Sequence, residues 1–503
     1  MNARATYAEL IQQAQEVSLL SSCMSLLSWD EQTYMPKRGV EHRGNQMALL
    51  AGLHHEKATD LRMGERLDAL ADSELVRDPL APEAVNVREL RRTFDRLTKL
   101  PRSLVEELAR TVSMAQQEWV SARKASDFAQ FCPWLEKVVA LKRQEAECLT
   151  AHGPLYDALL DEFEPGASSR EIAALFESLR RDLVPLVDAI QGSSRRPDLS
   201  VLNRDFPADA QERFGRLAAA AIGFDFQAGR LDTTAHPFCT RIGPGDCRIT
   251  TRYALTSFTD SFFGILHEVG HGLYEQGLDP LHQGTPMGEA VSLGVHESQS
   301  RLWENAVGRS RSFWLHFFPK AHEHFAHALA DVSFDAFLFA INQVAPSLNR
   351  VQADEVTYNL HILIRFELEQ ALLSGDLEAA GVPGAWNDLY ERTLGLTPPN
   401  DAEGCLQDIH WSAGLVGYFP TYTLGNLFAA QLYDRASEEL GDLETEFARG
   451  EFGTLLTWLR DRVHRHGHRY HSAPLIQQVT GAPPDHRPLV RALRRKYGEL
   501  YAV

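Results

Sequence analysis

Apolar side chains recur at helical spacing through roughly the first 190 residues of the chain. In residues 83–100 they fall mostly three or four positions apart, with charged side chains on the other face. Pro101 opens a second such segment, since the first turn of a helix tolerates its missing N–H, and a third runs over residues 134–149. Turn-forming residues interrupt the pattern at 165–169 and 192–197. The pattern predicts a scaffold of successive amphipathic helices.

One segment departs from helical spacing. Residues 231–253 are rich in Thr, Ile and Phe, and a Gly-Pro-Gly-Asp turn occupies residues 243–246. Two short β runs around such a turn predict a hairpin. Helical periodicity resumes afterwards and continues to the end of the chain. We therefore predict a mainly α fold with a small β-hairpin or sheet near residues 231–253.

Composition narrows the class of protein. The length of 503 residues fits either about three ordinary domains or one large helical enzyme. The chain carries 50 Lys and Arg against 68 Asp and Glu, a formal net charge of -18. Nucleic-acid binding needs a basic surface that displaces counterions from phosphates, so no nucleic-acid partner is expected.

The chain also lacks the pattern of a membrane or secreted protein. No run approaches the ~20 apolar residues that span a bilayer, and no cleaved signal peptide is expected near the N-terminus. The six cysteines are scattered without CxxC spacing, which is typical of a reducing compartment. These features predict a soluble cytoplasmic protein that does not contact a membrane.

Residues 267–271 read HEVGH, an HExxH motif inside an apolar helical segment. Residues four apart lie on one face of a helix, so His267 and His271 can share one metal ion while Glu268 lies beside them. The apolar residues of the segment gather on roughly the opposite face. Two ordinary histidines on a core or surface helix are the alternative explanation of the motif.

A third ligand would strengthen the metal hypothesis, because catalytic zinc usually takes three protein ligands and keeps one position for water. Glu297 follows His271 by 26 residues (297 minus 271), which allows a turn and an adjacent helix to return a carboxylate to the ion. His296 is the rival donor. Neighbours on a helix point about 100° apart, so only one of the two is expected to face the metal.

Several further motifs accompany HExxH and His296-Glu297-Ser298-Gln299. They are His236-Pro237-Phe238 (HPF), residues 246–250 (DxRxT), residues 404–411 (GxxQDxHW), residues 29–36 (WDxxTxMP) and residues 349–354, which read NRVQAD where IRxxAD is usual. In this order, and spread over residues 29 to about 471, they resemble the carboxypeptidase Taq family, the M32 metallocarboxypeptidases. The asparagine at the IRxxAD position leaves the arginine of that motif in place.

The resemblance implies a fold and an activity. It implies a large helical body cut by a deep active-site groove, as in neurolysin-like zincins. It also implies one metallocarboxypeptidase domain over residues 1–503, with an N-terminal helical part to about 195 and a metal-site part from about 196. The expected activity is zinc-dependent release of single residues from peptide C-termini, with broad side-chain tolerance. Cobalt as a possible substitute, poor release next to proline and a homodimer are implied as well.

The residues of these motifs receive expected roles. Glu268 is expected to act as general base on the attacking water and then to protonate the leaving amine. An oxyanion donor besides the metal is expected from His410, Tyr418 or Tyr422, and the sequence does not choose between the two tyrosines. By resemblance, Arg248, Arg350 and His236 lie where the substrate's C-terminal carboxylate is bound, since an arginine can bond both of its oxygens.

Other polar residues are open to more than one interpretation. Asp408, Glu289 and His296 could hold the metal-binding histidines, although ion pairs or helix caps explain them equally well. The segment 464–471 contains four histidines, but its alternating arginines repel cations, so we predict a structural role for it.

Two other functions compete with the carboxypeptidase. The first is an oligoendopeptidase of the thimet or neurolysin kind, which shares the helical groove and the HExxH and glutamate site. The second is a non-catalytic helical binding protein with a decayed site. Retention of His267, Glu268, His271 and Glu297 speaks against decay.

Overall fold

The computed structural model describes residues 2–150 and 152–503, and it begins with nine helices that form the N-terminal scaffold. The predicted helices and both predicted breaks are present. The helices are α1 (Ala3–Thr33), α2 (Val40–Ala58), α3 (Leu61–Leu70), α4 (Pro82–Lys99), α5 (Arg102–Ala125), α6 (Phe128–Leu149), α7 (Leu155–Leu160), α8 (Ser169–Gly192) and α9 (Ala208–Ala221).

A three-stranded sheet follows, one strand larger than the predicted hairpin. Its strands are β1 (Gly229–Thr233), β2 (Cys239–Gly243) and β3 (Asp246–Thr251), in the order β1-β3-β2. β2 and β3 form the predicted antiparallel hairpin, and Gly245 adopts a positive φ of 77° in its turn. β1 pairs in parallel with β3 and lies on the far side of it from β2. The sequence pattern did not predict β1, because Leu231 is the only apolar side chain among its five residues.

Helices resume after the sheet and alternate with loops, of which the longest covers residues 395–419. They are α10 (Phe258–Gly277), α11 (Leu293–Arg301), α12 (Arg311–His324), α13 (Ala326–Leu329), α14 (Phe334–Ile341), α15 (Tyr358–Ser374), α16 (Val382–Leu394), α17 (Pro420–Leu440), α18 (Leu443–Arg449), α19 (Gly453–Arg462), α20 (Ser472–Thr480) and α21 (Arg487–Tyr501). A π-helical turn, Leu302–Val307, continues α11.

One large hydrophobic core joins the helices before and after the sheet, because its buried side chains run from Ala115 to Tyr501. A smaller cluster packs α1, α3 and α4 together. The division of the single domain near residue 195 stays a prediction. In the described part of the chain, no helix combines the length and apolar composition needed to cross a membrane.

The HExxH helix α10 is buried on its apolar face and lies directly against α11. Its apolar residues are at most 3 % exposed: Phe262, Phe263, Ile265, Leu266, Val269 and Leu273. Gly270 lies inside the motif, and a Cβ there would come within 2.5 Å of the backbone of Gln299 on α11. A Cβ at Gly425 of α17 would likewise come within 2.5 Å of Cγ of Glu297. These two glycines let three helices approach closely enough to enclose one polar centre.

A buried carboxylate fixes the start of α11. Glu164 is 1 % exposed, and its Oε2 accepts a hydrogen bond of 3.0 Å from the backbone N–H of Gly294 in the first turn. Burial raises the pKa of Glu164 from 4.5 to about 7. Between these two values the folded chain holds a proton that the unfolded chain has released, so stability falls as the pH rises through this window.

We expect Glu164→Gln to change the pH dependence of stability, because it removes a buried charge that exists only above about pH 7. Relative to the unsubstituted protein, the melting temperature of the variant should rise between pH 5 and pH 8. The largest expected gain in the free energy of unfolding is about 3 kcal/mol, reached above the pKa of Glu164. Glu162→Gln, which alters an exposed ion pair with Arg96, is the control and should show no such trend. Parallel pH profiles for the unsubstituted protein and Glu164→Gln would contradict this account.

Candidate metal centre

His267 and His271 on α10 and Glu297 on α11 converge on one point. The Nε2 atoms of the two histidines lie 3.6 and 3.5 Å from Oε2 of Glu297, and the three donor atoms are all within 4.8 Å of one another. Ligands ~2.0–2.1 Å from a tetrahedral ion stand roughly 3.3 Å apart, so the trio fits such an ion. Within residues 2–150 and 152–503, no other group of three such side chains meets the same condition.

Each histidine of this trio is held from behind through its other ring nitrogen. Nδ1 of His267 is 3.0 Å from Oε2 of Glu304, which lies in the π-helical turn. Nδ1 of His271 is 2.5 Å from Nδ1 of His296. His296, which the sequence offered as a rival ligand or a supporting residue, therefore contacts a histidine of the trio. Such contacts orient a metal-binding imidazole and fix its tautomer.

Arg301, at the end of α11, pairs with both Glu297 and Glu304. Nε of Arg301 lies 2.7 Å from Oε1 of Glu297, and its Nη1 lies 3.2 Å from Oε2 of Glu304. Burial alone raises the pKa of Glu304, but the charges of Arg301 and His267 lower it to about 2. Burial also acts against the charged form of Glu297, but Arg301, His267 and His271 hold the pKa of that carboxyl well below its usual range. Both carboxylates are therefore kept in their ionised form.

Glu268 lies one residue after His267 and is 6 % exposed. Burial raises its pKa from 4.5 to about 7, against the opposing effect of His267. A carboxylate with a pKa near neutrality can both take and return a proton at physiological pH. The position and the pKa of Glu268 thus suit the expected general base.

A second polar cluster contains Arg350 and Asp408, which the sequence placed in two separate motifs. Oδ1 of Asp408 accepts a hydrogen bond of 2.9 Å from Nε of Arg350, and Oδ2 accepts one of 2.7 Å from Nε of Arg365. Asp408 therefore pairs with buried arginines instead of supporting the metal-binding histidines. Glu289, the other carboxylate considered for that support, makes no hydrogen bond to His267 or His271 in the described part of the chain, where these histidines contact Glu304 and His296. Arg350 also donates a hydrogen bond of 3.0 Å to the hydroxyl of Tyr358, whose ring lies 4.4 Å below the guanidinium of Arg301. The two polar clusters are thus connected.

The oxyanion candidates lie beside this second cluster. Nε2 of His410 is 3.1 Å from the hydroxyl of Tyr422, and the guanidinium of Arg350 lies 5.0 Å from the Tyr422 ring. The Tyr418 and Tyr422 rings are 5.3 Å apart. Burial and the charge of Glu297 raise the pKa of Tyr418 to about 12, so its hydroxyl is kept as a hydrogen-bond donor. The choice between the two tyrosines stays open.

The remaining expected substrate-binding residues lie on the sheet or in its connections. Arg248 on β3 is paired through Nε and Nη2 with Asp246, both at 2.8 Å, and lies 4.1 Å above the ring of Trp29 on α1. His236 is exposed in the connection between β1 and β2. Among the described residues, neither side chain is hydrogen-bonded to the trio. Their substrate-binding role stays a prediction.

Three of the four histidines of segment 464–471 make structural hydrogen-bond contacts. Nε2 of His464 is 2.9 Å from Oε1 of Gln299, Nε2 of His468 is 2.8 Å from the carbonyl of Ala290, and Nε2 of His471 is 3.1 Å from Oε1 of Glu89. His464 thereby contacts α11. The segment matches the structural interpretation of its sequence.

Sequence reasoning missed several supporting residues. Arg301 and Glu304 follow Glu297 by four and seven positions, a spacing that returns to the same helix face and could have identified them. Glu275 lies four residues after His271 on α10, and its Oε1 is 2.8 Å from Nε2 of His296, a contact that the same spacing could have indicated. Arg365 and Tyr358 carry no local signal, because α15 is buried nearly all round.

We expect Asp408→Asn to destabilise the fold, because two buried guanidinium groups would lose their shared counter-charge. The side chain of Arg365 is fully buried, so water cannot replace the lost partner. The expected loss is about 3–5 kcal/mol, measured by thermal or denaturant unfolding. Asp388→Asn on α16, at an exposed position, is the control and should be neutral. An unfolding midpoint unchanged in Asp408→Asn would contradict the role given to this pair.

Comparison with known proteins places these features in a wider context. A sequence model of the carboxypeptidase Taq (M32) metallopeptidase family matches residues 9–497. The chain is 51% identical over 510 aligned positions to thermostable carboxypeptidase 1 of Thermus thermophilus, with full coverage of both chains. It is 38% identical to carboxypeptidase 1 of Bacillus subtilis over 97% of each chain.

Solved structures agree in fold. The crystal structure of the M32 carboxypeptidase from Deinococcus radiodurans R1 superposes with a TM-score of 0.96 at 42% identity, covering 99% of this chain and 100% of that one. The carboxypeptidase of Pyrococcus furiosus superposes with a TM-score of 0.94 at 35% identity, covering 98% and 99%. The helical fold predicted from the sequence is thereby confirmed.

Proposed function

The chain belongs to the carboxypeptidase Taq (M32) metallopeptidase family and is a metal-dependent carboxypeptidase, and from this premise we propose that it uses zinc held by His267, His271 and Glu297. The convergence of these three side chains carries the proposal. Two imidazoles and one carboxylate form a ligand set typical of catalytic zinc, and cobalt tolerates the same ligands. The chemistry of the trio therefore fits a catalytic zinc ion.

A divalent ion bound there would polarise the scissile carbonyl and lower the pKa of a coordinated water. Glu268 lies one residue from a ligand histidine and takes the proton of the attacking water. It then delivers this proton to the leaving amine. Its burial, which raises its pKa to about 7, supports both steps.

The negative charge that develops on the carbonyl oxygen needs donors from the protein. We assign this role to the group of His410, Tyr418 and Tyr422, which lies beside Arg350 and close enough to Glu297 for that carboxylate to raise the pKa of Tyr418. The hydrogen bond of 3.1 Å between His410 and Tyr422 orients a phenol hydroxyl in this region, which favours Tyr422 as the donor. Tyr418, whose pKa responds to Glu297, is the second candidate.

Binding of the substrate's terminal carboxylate distinguishes a carboxypeptidase from an endopeptidase. We propose that Arg350, Arg248 and His236 form this end of the groove. Arg350 is held rigidly by Asp408 and Tyr358, and Nη1 of Arg248 has no hydrogen bond among the described residues. A rigid or partly free guanidinium can bond both oxygens of a carboxylate.

We expect Arg248→Gln to raise KM for free peptides and to leave hydrolysis of C-terminally amidated peptides nearly unchanged. Loss of one charge-assisted contact corresponds to about 10-fold in KM or more. Arg230→Gln is a matched control, because Arg230 pairs in register with Arg248 and lies 5.0 Å from the same Trp29 ring. An equal loss on free and amidated peptides would count against carboxylate binding by Arg248.

Incubation of zinc-loaded protein with a mixed peptide set, followed by mass spectrometry, tests the proposed activity. Stepwise shortening from the C-terminus, with many side chains accepted, is the expected result. Internal fragments would instead support the oligoendopeptidase. We further propose a cytoplasmic homodimer, and a sedimentation mass of about 56 kDa in place of twice that value would exclude the dimer.

A further inference from the structure

A chain of two contacts connects the metal centre to a neighbouring cleft. Nδ1 of His271 is 2.5 Å from Nδ1 of His296, and Nε2 of His296 is 2.8 Å from Oε1 of Glu275. Glu275 lines a cleft between α1 and β2, together with Ser18, Ser22, Arg241, Gln283 and Glu289. Neither the trio nor the second polar cluster uses this carboxylate.

The distances determine where the protons of this chain lie. Nε2 of His271 faces Glu297 at 3.5 Å, so it is the nitrogen that must offer its lone pair to the ion. A neutral imidazole then carries its proton on Nδ1, which donates to Nδ1 of His296. His296 is left with its proton on Nε2, which donates to Glu275. Only this arrangement satisfies both contacts while His271 stays a neutral ligand.

The two histidines of the trio are thus supported differently. His267 contacts the carboxylate of Glu304 directly, and that carboxylate is paired with Arg301 at 3.2 Å. His271 reaches a carboxylate only through His296. Glu275 in turn has Arg241 as its nearest cationic group, at 3.9 Å. The support of His271 therefore depends on one tautomer of one intervening ring.

We propose that Glu275 is a positioning residue of the metal centre, which acts through His296 to fix the tautomer and orientation of His271. The proposal rests on the proposed metal site and adds a residue to its support. Without Glu275, the Nε2 proton of His296 loses its acceptor and the ring can take the other tautomer. Its Nδ1 would then carry a proton that faces the Nδ1 proton of His271, and the ligand would be displaced.

Metal affinity is the direct readout of this proposal. Zinc dissociation constants are measured by competition with a chromophoric chelator for the unsubstituted protein, Glu275→Ala, Glu275→Gln and Glu289→Ala. Loss of such an outer contact weakens metal binding by about 10–100-fold, which is the expected effect of Glu275→Ala. Glu275→Gln keeps an acceptor oxygen and should restore most of the affinity.

Glu289→Ala is the matched control. Glu289 lines the same cleft, but among the described residues its carboxylate has no hydrogen bond to His271 or His296, so its removal should leave zinc affinity unchanged. The absorption spectrum of the cobalt-loaded protein supplies an independent signature. It should change in Glu275→Ala and stay constant in Glu289→Ala.

A double variant separates action through His296 from a general loss of packing. If Glu275 acts only through His296, then Glu275→Ala should add no further loss of zinc affinity in a His296→Ala background. Additive losses, or equal affinities for Glu275→Ala and the unsubstituted protein, would overturn the proposal. Failure of the unsubstituted protein to bind zinc would instead overturn the proposed function, so the two failures are distinguishable.

Discussion

Replacing Glu268 by glutamine is expected to lower kcat by about 10²–10⁴-fold while zinc binding and the fold are retained. Glutamine keeps the shape of the side chain but cannot take a proton from water at neutral pH. Since His267, His271 and Glu297 remain in place, the zinc content should stay at that of the unsubstituted protein. Steady-state kinetics together with metal analysis of the purified variant measure both quantities.

Asp260→Asn supplies the control for this substitution. Asp260 lies on the same helix α10 and undergoes the same change of charge, but its side chain is exposed in the first turn. Its kinetics should match those of the unsubstituted protein. Near-normal turnover by Glu268→Gln would show that another group serves as the base.

Replacing Glu297 by alanine is expected to abolish activity by a different route, through loss of the metal. Two imidazoles alone would hold the ion weakly, and the third ligand position would be vacant. Because the ion contributes several kcal/mol to the reaction, the expected loss in kcat/KM is roughly 10³-fold or more. The variant should also lose zinc during gel filtration in metal-free buffer.

The contrast between the two variants is informative. Glu268→Gln should be inactive with zinc bound, whereas Glu297→Ala should be inactive and metal-free. Glu289→Ala, which removes a carboxylate of the neighbouring cleft, should retain both zinc and activity. Thermal unfolding of the metal-free proteins checks that Glu297→Ala folds. A Glu297→Ala protein that binds zinc normally would remove Glu297 from the ligand set.

The sequence predicts the metal centre because the three proposed ligands lie close together along the chain. The spacing of His267 and His271 places both on one helix face, and Glu297 falls in the next helix along the chain. The helical scaffold and the hairpin were also predictable, since periodicity and turn residues determine them. Side-chain contacts between distant segments were not. Arg350 is hydrogen-bonded to Asp408, which lies 58 residues further along the chain, and the pattern of neither segment predicts this contact.

The sequence also did not predict which carboxylate supports the metal-binding histidines. Asp408 has the chemistry to orient a histidine, but the two arginines buried beside it take both of its oxygens. Glu304 fills the place behind His267, since the π-helical turn carries it back to α10. Likewise β1 joins the sheet in parallel, and its place depends on tertiary contacts: Arg216 of α9 donates a hydrogen bond to the carbonyl of Leu231 on β1, and α10 packs against β3. Local propensity does not specify which of several carboxylates reaches a given imidazole.

The most direct measurement is anomalous diffraction at the zinc absorption edge from crystals of zinc-loaded protein. One strong peak is predicted, ~2.0–2.2 Å from Nε2 of His267, Nε2 of His271 and a carboxylate oxygen of Glu297. A well-occupied peak elsewhere in the molecule, with this trio unoccupied, would contradict the account.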